Sequence, residues 1–324
     1  MTRRPPALIA VLGPTACGKS ALAIALAERY GGEIISCDSA AVYRRFDIGT
    51  DKVPMAERRG IPHHLIDVAD PADEYTAARF GQEAAEVARA VVARRRVPIL
   101  AGGTGFYFRA LTRGLFPGPG RDQALRDRLG EIAARRGVEF LHRMVARVDP
   151  PSASRIQSRD RVRLVRALEV FFLTGVPLTS HFAGTVSPLP ELRTIGLLVG
   201  VPAPVLNDRI ILRVDEQFRR GLVDEARALI DSGVPPGVRP FGSLGYRQVL
   251  EHLRGVRGGA ETRDLIVRET RKYARRQLIW FRKEPNLDTI AGPGDLPSAV
   301  ACACRIIDRR FRALEAGANG EEIA

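Results

Sequence analysis

An apolar run, Ala7-Leu8-Ile9-Ala10-Val11-Leu12, leads straight into Gly13-Pro14-Thr15-Ala16-Cys17-Gly18-Lys19-Ser20, and Ser20 to Tyr30 continues with the Ala/Leu/Ile spacing of a helix. The octet matches G-x-x-x-x-G-K-[ST], and it lies between a buried strand and a helix, as a phosphate-cradling P-loop requires. In such a loop the backbone N–H groups and the helix N-terminus surround the oxygens of a pyrophosphate or nucleotide. Lys19 neutralises them and the Ser20 hydroxyl reaches a magnesium ion.

A strand, loop, helix, strand unit follows from this start, with Ile34-Ile35 as the second strand. A third strand, Val97 to Ala101, comes after a helical stretch from Ala77 to Arg95, and a fourth is expected over Thr194 to Val201. Strands alternating with helices predict an α/β fold, a P-loop NTPase-like parallel sheet flanked by helices. Arg121 to Phe182 has helical periodicity throughout and reads as an all-helical insertion domain between Phe116-Pro117-Gly118-Pro119-Gly120 and Ser187-Pro188-Leu189-Pro190. The expected organisation is a first core part over 1–116, the insertion over 117–190, a return to the core with basic C-terminal helices over 191–315, and a frayed tail over 316–324. In the returning part a helix is expected around Leu206 to Ser232, a Pro/Gly-rich loop over Pro235 to Gly245, and a helix over Thr262 to Lys283.

Hydrophobic residues make up 45% of the chain, enough for a packed core, yet no apolar run approaches the roughly 20 residues of a membrane helix. Arg3-Arg4 precedes an apolar run that meets the phosphate loop with no cleavage site between, so an export signal is not expected and a cytoplasmic location is. Cys17, Cys37, Cys302 and Cys304 have no metal-site spacing and fit a reducing compartment. The net charge is +13, and of the 50 basic residues only Lys19, Lys52, Lys272 and Lys283 are not arginine. Such an excess suits a polyanionic partner.

Candidate chemistry gathers beyond the carboxyl ends of the strands, where sheets of this kind place ligands. Asp38, in Ser36-Cys37-Asp38-Ser39, should project toward the phosphate; the alternatives are a helix N-cap or a magnesium ligand acting through water. Gly102-Gly103-Thr104 permits close approach and offers a hydroxyl, though a plain tight turn reads the same way. Arg209 and Arg213 share a helix face; either they reach the phosphate or they pair with Asp208 and Asp215. The adjacent His63-His64 point two ways and read as structural.

Together with the phosphate loop, the motifs Ser36-Cys37-Asp38-Ser39, Tyr43, Asp47-Ile48-Gly49-Thr50, Gly102-Gly103-Thr104, Arg166-Ala167-Leu168-Glu169-Val170, Gly245-Tyr246-Arg247-Gln248 and Thr270 to Phe281 occur in the order seen in bacterial tRNA dimethylallyltransferases, which the chain resembles from about Leu8 to Arg282. The resemblance implies transfer of a dimethylallyl group from dimethylallyl pyrophosphate to N6 of adenosine 37, beside the tRNA anticodon, by a magnesium-dependent monomer. It also implies site roles: Asp38 as base, Thr104 and Arg213 near the pyrophosphate, Lys19 and Ser20-bound magnesium on the leaving group. Asp38, Ser39, Ala40, Ala41, Thr104, Arg126, Asp127, Arg163, Arg166, Gly242, Gly245, Tyr246, Arg247, Arg275, Arg276, Gln277, Trp280 and Arg282 are implied to face the anticodon stem-loop, with Tyr246 and Trp280 either stacking on bases or lying in the core. The chain departs from the family at Cys17, around Arg159-Asp160-Arg161 and over Arg239 to Leu244. Rival readings are a small-molecule kinase, a transferase acting on free adenine nucleotide, and a nucleotide-dependent RNA-binding switch.

Overall fold

The computed structural model describes residues 6–321; the Arg3-Arg4 pair and residues 322–324 of the expected tail lie outside them. The chain divides into two compact units, one built from the stretches up to Thr112 and from Pro188 onward, the other Arg113–Ser187. The first begins with β1 (Ala7–Leu12), α1 (Lys19–Tyr30), β2 (Gly32–Cys37), β3 (His63–His64), α2 (Ala77–Ala93), β4 (Val97–Gly102) and α3 (Gly105–Arg113). The second holds α4 (Gln123–Arg136), α5 (Val138–Val148), α6 (Pro150–Arg155), α7 (Arg161–Thr174) and α8 (Leu178–His181). The chain then returns through β5 (Arg193–Gly200), α9 (Ala203–Arg219), α10 (Leu222–Asp231), α11 (Tyr246–Leu253), α12 (Gly259–Phe281), β6 (Leu287–Ala291) and α13 (Pro297–Glu321).

The sheet has the order β3-β2-β4-β1-β5-β6, and every neighbouring pair is parallel. All six residues of β1 are buried, which is why this strand reads as an unbroken apolar run rather than an alternating one. The chain leaves β1 for β2 on one side and leaves β4 for β5 on the other. The crevice between the carboxyl ends of β1 and β4 is therefore a topological switch point. Helices α1 and α2 pack on β2 and β4, and α13 packs on β5 and β6.

Three expectations change. The helix expected around Leu206 to Ser232 is two, α9 and α10, because the chain turns at Gly221 with φ +89°, a conformation that L side chains rarely adopt. The edge strands β3 and β6 complete a sheet that the sequence reads as four strands. The tail expected from residue 316 is helical to Glu321.

The helical unit has its own core of Leu129, Leu141, Val145, Leu164, Leu168 and Val170. Asp122, Asp149 and Asp160 cap α4, α6 and α7 through the amides of Leu125, Ser152 and Arg163. Beside that core the Glu169 carboxylate, fully buried, receives Arg126 at 2.7 and 2.8 Å, Arg166 at 2.7 Å and the Asp122 amide at 2.9 Å. Burial alone would raise its pKa; the two guanidinium groups and the amide outweigh it and bring it down to about 2 from 4.5. A depressed folded-state pKa means that the stability is fully present above 4.5 and is lost as pH falls toward 2, about 3 kcal/mol in all. Substituting Glu169→Ala is expected to cost about 3 kcal/mol through the lost charge-assisted hydrogen bonds, because Arg126 and Arg166, each a quarter to a third exposed, keep part of their hydration. Thermal unfolding followed by circular dichroism should show the lowered midpoint at pH 7 and a much smaller difference near pH 2.

Candidate active site

Pairing registers Leu12 with Gly102 and Cys37 with Gly102, so β1, β4 and β2 end in one row and the residues just beyond, Gly13, Gly103 and Asp38, open the site together. A Cβ on Gly102 would lie 2.1 Å from the Cys37 carbonyl oxygen, so only glycine lets β2 and β4 close to this spacing. Gly18 combines φ +84° with a wall: a Cβ there would meet Asp295 and Gly294 below 3 Å. Both glycines shape the rim, and Gly102 also lines the cavity described next.

A cavity of about 430 Å³ opens at this row. Of the phosphate loop, Thr15, Lys19 and Ser20 line it, while Gly13, Pro14, Ala16, Cys17 and Gly18 form the turn behind. Lys19 Nζ donates to the Pro14 carbonyl at 3.1 Å, and Arg209 Nε donates to the Ala16 carbonyl at 2.8 Å. Cys17 is buried, and its thiol is pushed up by that burial, so it takes no part as a nucleophile.

Asp38 Oδ1 accepts from the amides of Ala40 at 2.8 Å and Ala41 at 3.2 Å. Its Oδ2 has no hydrogen-bond partner among the described residues, and the side chain lines the cavity. The cap-like role and exposure to ligand thus coexist on the two oxygens of one carboxylate. Thr104 does not line the cavity. Its Oγ1 accepts from the Ser39 amide at 3.1 Å and its own amide donates to the Cys37 carbonyl at 3.2 Å, so it braces the turn that carries Asp38. Arg213 lines the cavity and pairs with Asp51 at 3.0 Å, and Arg209 pairs with Asp295 at 3.0 Å. Asp215, one of the partners that spacing suggests for them, holds Arg263 instead.

The residues expected to face RNA divide by environment. Gly242, Arg247 and Arg276 are exposed and line the cavity; Arg275 and Arg282 are exposed. Ser39 and Ala40 are half-buried on the cavity wall, and Ala41 is buried beside them. Tyr246 takes the second of its two alternatives, the core, and so does not face RNA: it is fully buried, donates to Glu225 and accepts from the Gly49 amide at 3.1 Å. Gly245, just before it, is buried at φ +93° and starts α11 through Gln248. Trp280 is half-buried against Gly105 with the Arg109 guanidinium 4.6 Å from its ring centroid. In the helical unit Arg126 and Arg166 are committed to Glu169, whereas Arg163 and Asp127 are exposed.

Gln277 is also largely buried, at the wall of the cavity. Its Oε1 accepts from the Thr15 amide at 2.9 Å and its Nε2 donates to the Gly103 carbonyl at 2.9 Å, which ties the phosphate loop to the end of β4 from helix α12. Gln277→Ala is expected to strand two buried backbone groups at about 1–3 kcal/mol each. A lower melting midpoint and reduced affinity for pyrophosphate in calorimetry would register it.

Several wall residues carry no local sequence signal. Tyr273 faces the cavity with its hydroxyl unpartnered among the described residues. Burial first, then the charge of Asp38, pushes its phenol up, so it stays protonated. The segment Asp47–Lys52 is pinned from afar: Glu225 accepts from the amides of Asp47 and Ile48 at 2.9 Å, and buried Lys52 donates to Tyr43, Asp47 and Asp67 at 2.6, 2.7 and 2.5 Å. His64 Nε2 lies 2.7 Å from Glu33, a structural contact, while His63, whose Nδ1 lies 2.9 Å from the Ile61 carbonyl, also lines the cavity. Among the described residues no three His, Cys, Asp or Glu side chains gather as a metal cluster, and no helix is long and apolar enough to cross a membrane.

This is an α/β core with a phosphate-type loop, a fixed carboxylate and arginines around one cavity. Residues 41–284 match the family model described as IPP transferase. A tRNA dimethylallyltransferase of Solibacter usitatus is 48% identical over 90% of this chain and 94% of its own, and one of Geobacter metallireducens is 44% identical over 91% and 95%. Among solved structures, the tRNA isopentenylpyrophosphate transferase of Bacillus halodurans superposes with a TM-score of 0.70 at 34% identity, covering 96% of this chain and 99% of that one. A eukaryotic dimethylallyltransferase acting on tRNA gives 0.71 at 25% identity, covering 89% and 74%. The chain belongs to the IPP transferase family.

Proposed function

We propose that this chain transfers the dimethylallyl group of dimethylallyl pyrophosphate to N6 of adenosine 37 in tRNA, releasing pyrophosphate. The observation that carries the reading is the convergence of Lys19, Ser20, Asp38 and Arg213 on one cavity, in a chain that is 48% identical to a protein named for this reaction.

An exocyclic adenine amine is a weak nucleophile that must lose a proton as it attacks. Asp38 is suited to take that proton, because Oδ1 is held by two amides while Oδ2 remains unpartnered. As the N6–carbon bond forms, the carbon–oxygen bond to pyrophosphate breaks and negative charge grows on the leaving oxygens. Lys19 and Arg213, with any amides of the loop left open, stabilise that charge more in the transition state than in the ground state. The Thr15 amide is not among them, since Gln277 occupies it. A magnesium ion fits beside Ser20, whose hydroxyl, at the start of α1, is exposed and has no hydrogen-bond partner among the described residues. When bound, it would neutralise the pyrophosphate. The target base stacks in its loop and must be drawn out to reach the cavity. The exposed Arg247, Arg275, Arg276 and Arg282 supply phosphate contacts for a polyanion of that size. The same reading has the enzyme acting in the cytoplasm as a monomer.

The test is an incubation with magnesium, dimethylallyl pyrophosphate and unmodified tRNA, with pyrophosphate and RNA-bound prenyl groups counted together. Equal amounts of the two support the reading. Hydrolysis of ATP or phosphorylation of a small acceptor, without prenyl transfer, would return the loop to a kinase.

A further inference from the structure

Arg213 is not free in the cavity. Asp51 Oδ2 lies 3.0 Å from Arg213 Nη1, and Asp51 Oδ1 lies 3.4 Å from Arg220 Nη1, so one carboxylate bridges two arginines of the α9 segment. Asp51 and Arg213 both line the cavity, and all three side chains are about a quarter to a third exposed. The loop that carries Asp51 is rigidly held. Glu225 takes the Asp47 and Ile48 amides, Gln217 donates to the Ile48 and Gly49 carbonyls at 3.3 and 3.4 Å, and Lys52 is buried among three oxygens. The backbone that carries Asp51 is therefore held beside the cavity, and its carboxylate stays within reach of Arg213 and Arg220 when an anion enters.

We propose that Asp51 is an affinity-setting residue that competes with pyrophosphate for Arg213. An incoming pyrophosphate takes Arg213 from Asp51, which keeps Arg220 as its remaining cation, and on product release Asp51 recaptures Arg213. A fixed negative charge beside an anion site weakens anion binding throughout, and at this range and dielectric one such charge changes affinity by about fivefold to tenfold. Tight retention of the product would otherwise follow from a site containing Lys19, Arg213, Arg247 and Arg276. The inference rests on the pyrophosphate reading of this cavity.

The test is isothermal titration of magnesium pyrophosphate into the full chain, alongside KM for dimethylallyl pyrophosphate. Asp51→Asn is the variant of choice, because Asp51 sits at φ +55° and asparagine tolerates the left-handed region at least as well. Expected is pyrophosphate binding about fivefold to tenfold tighter than wild type, with KM lowered in the same direction and the melting midpoint little changed. Arg220→Gln leaves Asp51 with Arg213 alone and should weaken binding about threefold; in the Asp51→Asn background the same substitution should have less than a twofold effect. Unchanged or weaker binding by Asp51→Asn, equal effects of Arg220→Gln in both backgrounds, or no binding by the wild-type protein would overturn the proposal. Because binding is read without turnover, failure of the wild type to prenylate tRNA would count against the transferase reading alone.

Discussion

Asp38→Asn is expected to lower kcat for prenyl transfer by about 10²–10⁴-fold, the usual contribution of a positioned general base. The amide keeps the shape of the carboxylate, and its oxygen still accepts from the Ala40 and Ala41 amides, so the turn after β2 survives. What it loses is an acceptor able to carry the proton from N6. The loss should therefore appear in single-turnover rates, while binding of dimethylallyl pyrophosphate, read by calorimetry, is no weaker than in wild type, since a negative charge has left the cavity wall. A variant that transfers at the wild-type rate would remove Asp38 from the chemistry and leave it as the cap that its Oδ1 already resembles.

The second large effect is expected at Lys19. Its ammonium donates to the Pro14 carbonyl at 3.1 Å, lines the cavity and belongs to the first turn of α1, so it is poised over whatever anion the loop admits. Lys19→Met keeps the length of the stem and removes the charge. A loss of about 10²–10³-fold in kcat is expected, in line with deletion of one preorganised donor at a developing oxyanion, together with weaker pyrophosphate binding. Rapid-quench kinetics separates the two. An effect confined to KM would mean that Lys19 holds substrate and leaving group equally and does not favour the transition state.

Much of the core was legible because its signals are local. β1, β2 and β4 are short apolar runs next to glycine loops, the mark of strands covered on both faces, and α1 follows a phosphate-loop pattern. β3 was not legible: it is two histidines that join the sheet through backbone pairing with Ile34 and Ile35, and no periodicity exists over two residues. β6, Leu287–Ala291, alternates too weakly to stand apart from a loop. The break between α9 and α10 has a visible cause in Gly221, but a glycine inside a helical pattern is tolerated often enough that it does not announce a turn.

The site was legible where it hangs on strand ends and illegible where polar side chains reach across the fold. Asp38 and the loop residues follow from position on the sheet. Glu225 contacts the Asp47 and Ile48 amides from far along the chain, and nothing in its neighbourhood signals that partner. Gln277 is the instructive correction. It stands among arginines and so reads as surface, yet Ile266, Thr270, Ala274, Gln277 and Phe281 recur every three or four residues along the buried stripe of α12. Following that stripe through a polar residue would have placed Gln277 inside. In the sequence Tyr246 is open between a stacking surface and the core, and only its long-range bond to the half-buried Glu225 carboxylate decides for the core.

The most direct test is mass spectrometry of tRNA digested after incubation with the wild-type chain, magnesium and dimethylallyl pyrophosphate. The account predicts N6-dimethylallyladenosine confined to the oligonucleotide containing adenosine 37, and its absence when Asp38→Asn is used for the same time. Unmodified tRNA, or a prenyl group on any other nucleoside, would contradict it.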